Sequence, residues 1–197
     1  MSLVVLKTAQ LGVLAVFIWY GFDLREKEGM TPLASPWLTR IMKTASCVVV
    51  VLYVYVQLAV DRLVWADAFA LLFTTTGTTL VVAAKHQLGS SHTWTGYCIE
   101  SPRLIASGVY AYVRHPLYTG VYLFEIGAVC SVAPRWSVLP SWGLAVAVVC
   151  LIYAMSFNAT MAARETQRMA RMFGDEFVVY RARVRAFIPV RRRLRPV

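Results

Sequence analysis

The chain has little charge for its length. Of its 197 residues, 15% are charged and only 10 are Asp or Glu, whereas 58% are hydrophobic. Soluble domains carry about 25% charged residues, so this composition excludes an ordinary water-soluble domain. The sequence also lacks the glycine-rich turn with which soluble dinucleotide-binding domains hold a phosphate.

Metal-ligand patterns are absent as well. The four cysteines form no CxxC pair, and the three histidines have no carboxylate or cysteine at ligand spacing. Most of the cysteines lie in apolar runs, where they are typical of small buried side chains. We therefore predict no metal site.

Long apolar runs dominate what remains. Such runs of 18 or more residues are typical of transmembrane helices, because a helix satisfies its own backbone hydrogen bonds in lipid. We predict an all-α fold, a polytopic membrane helical bundle that forms one domain over residues 1–197. The predicted spans are residues 3–22, 41–60, 63–84, 117–133 and 138–158. The first run lacks a signal-peptide cleavage site, so we interpret it as a retained helix.

Basic residues are distributed unevenly between the two sides of this predicted bundle. Lys7, Arg62 and Arg135 fall on one side, and the other basic residues of the chain fall on the opposite side. The positive-inside rule then predicts an external N-terminus and a cytoplasmic C-terminus. The net charge of +10 is placed just beyond membrane spans. It therefore indicates contact with anionic membrane lipids rather than with nucleic acid.

Two polar segments on the predicted cytoplasmic side, residues 85–116 and 163–190, are expected to form a cofactor cap. The first contains several glycines and a proline, so we expect irregular backbone. The second begins as a helical continuation of the fifth span and breaks at Gly174. Asp175 is placed to cap a short helix over residues 176–184, and residues 191–197 are expected to be loose.

Helical spacing groups four polar residues at the start of the fourth span. If this helix begins near Pro116, then His115, Tyr118, Tyr122 and Glu125 share one face, which we expect to point into the bundle. An ionisable residue inside a span is a functional candidate, so Glu125 is a candidate catalytic residue. The alternative is a structural hydrogen bond to a neighbouring helix.

Three motifs in the second half of the chain carry a family resemblance. They are residues 104–110 (LIASGVY), residues 114–120 (RHPLYTG), and Glu165 followed by residues 173–177 (FGDEF). In this order the pattern resembles the isoprenylcysteine carboxyl methyltransferase family, over roughly residues 88–189. The pattern is shared with membrane phospholipid and small-thiol methyltransferases, so it indicates the methyl donor better than the acceptor.

The resemblance implies S-adenosylmethionine as the cofactor. It implies that the residues matching the family's donor site bind it here. These are Arg103, Leu104, Ile105, Tyr110, Arg114, His115, Pro116, Leu117, Tyr118 and Glu165. Tyrosine faces attract a sulfonium cation, and His115 and Glu165 offer hydrogen bonds to its polar ends.

Two positions depart from the family pattern. Met161 stands where the family usually has an arginine for the acceptor carboxylate, and Thr166 stands where it usually has a second glutamate. Arg164 lies one helical turn from Met161, so we hypothesise that Arg164 acts on the acceptor. The acceptor stays open among a prenylated cysteine, a phospholipid amine, a small thiol, and an isoprenoid acid or phenol.

Two other functions compete with this interpretation. A membrane reductase of the steroid or sterol type would use NADPH, whose 2′-phosphate the tail arginines would bind. A non-enzymatic membrane scaffold or transporter subunit would bind no cofactor. Stabilisation of the purified protein by one cofactor or the other separates these possibilities.

Overall fold

Five long helices make up most of the molecule. The computed structural model describes residues 2–22, 29–93, 95–100 and 102–189. The helices are α1 (Leu3–Gly21), α2 (Pro36–Ala59), α3 (Ala66–Leu88), α4 (Pro116–Val132) and α5 (Ser141–Arg183), and the strands are β1 (Met30–Pro32) and β2 (Tyr97–Ile99). Each helix, with α4 taken together with the 3₁₀ turn that follows it (Pro116–Val138), is long and apolar enough to cross a membrane. This confirms the predicted helical bundle.

The boundaries of α2 and α3 differ from the predicted spans. Helix α2 begins at Pro36 instead of residue 41, because proline suits the first helical position and follows an extended Ser35. Helix α3 continues to Leu88, so Lys85 is helical rather than part of the predicted loop. It ends at Gly89, whose φ of 54° suits glycine.

Helix α5 is 43 residues long and extends from the bundle into the cap. It begins at Ser141 rather than at residue 138, because residues 133–138 form a 3₁₀ turn. The predicted continuation beyond the span is confirmed, and so is the break at Gly174, whose φ is 51°. The tail expected to be loose, residues 191–197, lies outside the described residues.

Glycines bring the backbones of α3 and α4 into close contact. A Cβ atom on Gly77 would lie 2.5 Å from the backbone oxygen of Gly120. A Cβ atom on Gly127 would lie 2.7 Å from the backbone nitrogen of Thr74. Small residues permit this approach between membrane helices. The contact fixes the position of α4, whose N-terminus carries the polar cluster described below.

The cap also contains a strand pairing that the sequence did not predict. Strands β1 and β2 pair antiparallel, with Thr31 opposite Cys98. Their pairing is extended by a hydrogen bond of 2.7 Å from the Leu33 amide to the Gly96 carbonyl. This small sheet covers one side of the space between α4 and α5.

Candidate functional site

The chain after α5 holds the start of α4 in place. Residues 184–187, which we name the C-terminal strap, run beside the residues that precede α4. The amide of Arg114 donates to the Arg185 carbonyl at 2.9 Å, and the amide of His115 donates to the Ala186 carbonyl at 3.0 Å. The strap therefore fixes the backbone of two residues that the sequence assigns to the cofactor site.

Four polar side chains from α4 and α5 meet beneath this strap. The Tyr118 hydroxyl donates to Glu165 Oε1 at 2.6 Å, and Glu165 Oε2 lies 3.6 Å from His115 Nδ1. His115 Nε2 lies 2.9 Å from the Thr166 hydroxyl. These contacts join residues about 50 positions apart in sequence and give the imidazole and the carboxylate fixed orientations.

Burial controls the protonation of the loop that precedes α4. It raises the pKa of the Tyr110 phenol well above its usual range, and the nearby Glu165 carboxylate adds to this shift. The phenol therefore stays neutral. Burial lowers the pKa of the Arg114 guanidinium, and the charge of Arg181 acts in the same direction. The Tyr180 hydroxyl binds the Tyr110 carbonyl at 2.7 Å and joins this loop to α5.

One cavity brings together every residue that the sequence assigned to the methyl donor. Its lining includes Arg103, Leu104, Ile105, Tyr110, Arg114, His115, Pro116, Leu117, Tyr118 and Glu165. We name it the cap cavity. Among its described lining residues Glu165 is the only carboxylate, and the arginines are Arg103, Arg114 and Arg168.

Sequence reasoning missed several residues that line the cap cavity. They include His92, Thr95, Tyr97, Arg168, Phe177 and Tyr180. Arg168 lies three residues after Glu165 on α5, so helical spacing could have identified it as a neighbour of Glu165. No sequence signal marked Tyr97, because its place depends on the pairing of β2 with β1.

The two catalytic candidates are not part of this cavity. Arg164 instead binds the Leu33 carbonyl and lines a separate groove on the outer side of α5. Glu125 lines a second cavity, which is apolar and lies deeper among α1, α2, α4 and α5. One oxygen of Glu125 is buried without a hydrogen-bond partner.

The predicted polar face of α4 is therefore divided. His115 and Tyr118 line the cap cavity, and the Tyr122 hydroxyl donates to the Met155 carbonyl of α5 at 3.1 Å. Glu125, one turn farther along, faces the apolar cavity instead. The face does point into the bundle, but its far end is about 15 Å along the helix from His115, too far to serve the same small site.

The profile of the isoprenylcysteine carboxyl methyltransferase (ICMT) family matches residues 68–171, more than half of the chain. The chain belongs to this family. It is 28% identical over 130 residues to protein-S-isoprenylcysteine O-methyltransferase of Mus musculus and 27% identical to that of Homo sapiens. These matches cover 65% of the chain but 43% of each relative, so the chain spans less than half the length of the curated relatives it matches.

Membership of the ICMT family and the five apolar helices make the chain an integral membrane protein. The structure shows what surrounds the two residues that depart from the expected family pattern. Met161 is only 2% exposed and belongs to an apolar cluster with Met42 and Phe157. Thr166 lies against the His115 imidazole and orients it without adding charge.

Proposed function

We propose that this ICMT-family protein is a membrane methyltransferase that uses S-adenosylmethionine and a lipophilic acceptor. The observation that supports this proposal most strongly is the cap cavity, which gathers all ten residues assigned to the donor. The relatives are named as S-isoprenylcysteine O-methyltransferases. Their acceptor makes the carboxylate of a prenylated cysteine the leading candidate, with other isoprenoids or lipids as alternatives.

The chemistry of the cavity suits such a donor. S-adenosylmethionine supplies an electrophilic methyl group on a cationic sulfur. Tyrosine rings such as those of Tyr110 and Tyr118 attract cations. Arg114 has a terminal nitrogen that is buried without a hydrogen-bond partner, which suits an anionic carboxylate. Glu165 and His115 offer hydrogen bonds to polar groups.

Positioning is the main contribution that these residues make. Orientation of two reactants contributes about 7–11 kcal/mol toward the barrier of a displacement reaction. The C-terminal strap fixes the backbone of Arg114 and His115, and strand β2 forms part of the cavity wall. A carboxylate or thiolate acceptor is already nucleophilic, so no general base is required from the cavity.

The sidedness of the site is part of the proposal. Most basic residues of the described chain lie at the cap end, which the positive-inside rule places in the cytoplasm. A water-soluble donor then reaches the cap cavity from the cytosol, and a lipophilic acceptor enters from the bilayer. The N-terminus lies on the other side of the membrane.

Donor binding by a His115→Ala variant tests this function. We expect isothermal titration calorimetry to detect S-adenosylmethionine binding to the wild type and to detect none to the variant, because the imidazole lies at the centre of the polar cluster. His86→Ala is the matched control, since His86 lies on α3 and is not among the cavity-lining residues. Undiminished affinity in His115→Ala would show that the donor site is wrong. A heat of NADPH binding in place of the donor would favour a reductase.

A further inference from the structure

A groove with three arginines lies on the outer side of α5, against residues 32–33. Arg164, Arg168 and Arg171 are spaced by four and three residues and so share one helical face. We name this feature the arginine groove. It lies where α5 leaves the apolar bundle and enters the cap.

Two of the three arginines are oriented by backbone oxygens rather than by acids. Arg164 donates to the Leu33 carbonyl, and an Arg168 terminal nitrogen donates to the Ile99 carbonyl at 3.2 Å. Carbonyl oxygens orient a guanidinium without neutralising its charge. Within the described residues, none of the three is within salt-bridge distance of a carboxylate, and no acidic residue lines the groove. The groove is therefore a positively charged recess to which the described part of the chain supplies no counter-charge.

Arg168 connects this groove to the cap cavity. Its side chain lines both spaces, and its Nε atom is buried without a hydrogen-bond partner. A buried guanidinium nitrogen with no acceptor is costly, so a bound acceptor oxygen would satisfy it. An anion on Arg168 lies one helical turn from Glu165 and thus next to the polar cluster of the cap cavity.

The position of Met161 on α5 does not suit an anion. Met161 is buried in an apolar cluster, where an unpaired negative charge would be strongly disfavoured. Arg168 lies seven residues farther along, which is about 10 Å along the helix axis. An anion held by the groove is therefore displaced by two helical turns from the bundle interior toward the cap.

We propose that the arginine groove binds the anionic group of a membrane-anchored ligand, and that Arg168 is a specificity-determining residue for the acceptor. The ligand presents a carboxylate or phosphate oxygen to the guanidinium groups while its chain stays in the bilayer. The anion belongs either to the acceptor itself or to an anionic phospholipid beside it. Assignment of Arg168 to the acceptor depends on the proposed function, whereas anion binding by the groove does not.

Binding of a matched acid and amide tests the groove without methyl transfer. The probes are N-acetyl-S-farnesylcysteine and its carboxamide, titrated into donor-free protein in phosphatidylcholine nanodiscs. We expect the acid to bind the wild type about tenfold more tightly than the amide, as for a hydrogen bond to a charged group. Arg168→Met should remove this preference, and Arg168→Lys should keep part of it. Arg183→Met, an exposed arginine on the same helix, should leave the preference unchanged.

A second measurement separates the two sources of the anion. Native mass spectrometry of protein released from nanodiscs containing phosphatidylglycerol should show retained lipid only if the headgroup occupies the groove. Lipid retained by the wild type and lost from Arg168→Met, without an acid preference, supports the phospholipid source. An acid preference that persists in Arg168→Met overturns the proposal, as does the absence of both acid preference and retained lipid.

The donor measurement keeps this result distinct from the proposed function. If Arg168→Met loses S-adenosylmethionine affinity as completely as His115→Ala does, Arg168 belongs to the donor site and the proposal fails. If neither variant changes donor affinity, the proposed donor site is wrong, yet the acid preference still reports on the groove.

Discussion

The two ends of α4 both carry buried polar groups, but they use them differently. At the end away from the cap, each terminal nitrogen of Arg135 donates two hydrogen bonds. One nitrogen donates to Asp67 Oδ1 at 2.8 Å and to the Ser131 carbonyl. The other donates to Asp67 Oδ2 at 2.8 Å and to the Arg62 carbonyl. At the cap end, Glu165 is 30% exposed and faces a cavity. We name the first arrangement the far-end ion pair.

Neutralisation of charge and access to a cavity separate a structural role from a functional one here. The side chains of Arg135 and Asp67 are 7% and 3% exposed, and they tie the start of α3 to the end of α4. The bidentate contact neutralises both charges, and only Arg135 Nε, which is buried, has no hydrogen-bond partner within the described chain. In the cap cluster, Arg114 and Glu165 instead line a cavity. The cap cluster therefore differs from the far-end ion pair because it faces a space that a ligand can occupy.

The largest effect is expected from breaking the far-end ion pair. Arg135→Met leaves the Asp67 carboxylate buried without its partner, which typically costs about 3–5 kcal/mol. We expect a strongly lowered thermal unfolding temperature in detergent, measured by intrinsic fluorescence. Wherever the variant is still folded, its affinity for S-adenosylmethionine should match that of the wild type.

A double variant provides the control for this prediction. Asp67→Asn combined with Arg135→Met removes both charges, so it should be more stable than Arg135→Met alone. An Arg135→Met protein that melts with the wild type would contradict the structural role of the pair. If Arg135→Met lost donor affinity but kept its stability, the two ends of α4 would not differ in role as we infer.

At the cap end we expect a smaller effect, which is a loss of donor affinity rather than a loss of stability. Tyr118→Phe removes the hydroxyl that donates to Glu165 at 2.6 Å. We expect donor affinity to fall about tenfold in calorimetry, because the carboxylate loses its fixed orientation. The unfolding temperature should change much less than in Arg135→Met. Tyr122→Phe is the control, since its hydroxyl donates to Met155 and its ring does not line the cap cavity; equal losses in both variants would contradict the assignment.

The bundle was predictable because its signal lies in local sequence. Apolar runs fix the existence of five helices, and the break at Gly174 follows from a residue that tolerates a positive φ. Helix starts were less predictable, because Pro36 begins α2 among residues that are not continuously apolar. The ten residues predicted to bind the donor came from the family resemblance, and they line one cavity.

The remaining features depend on pairings between distant residues. Asp67 and Arg135 are 68 positions apart, and the sequence showed Arg135 only as a basic residue at a span end. The pairing of Met30 with Ile99 rests on three-residue strands that have no periodic pattern of their own. Arg164 and Glu125 were assigned to catalysis by residue type and spacing, yet the turn of each helix directs them to other spaces.

The smallest expected effect concerns the alkaline stability of the cap. Because burial raises the pKa of Tyr110, its phenol is neutral in both folded and unfolded chains below about pH 10, and it adds no pH dependence there. Above that pH the unfolded chain loses the proton first, so the free energy of unfolding falls as pH rises. Tyr110→Phe lacks this loss, so the difference in unfolding temperature between wild type and variant should change between pH 9 and 10.5, by the equivalent of about 0.8 kcal/mol. Tyr112→Phe, at a position 58% exposed, is the control for burial as the cause. A pH-independent difference for Tyr110→Phe would mean that the loop before α4 is open to solvent. The cap cavity would then be open to water on this side, whereas the far-end ion pair is buried.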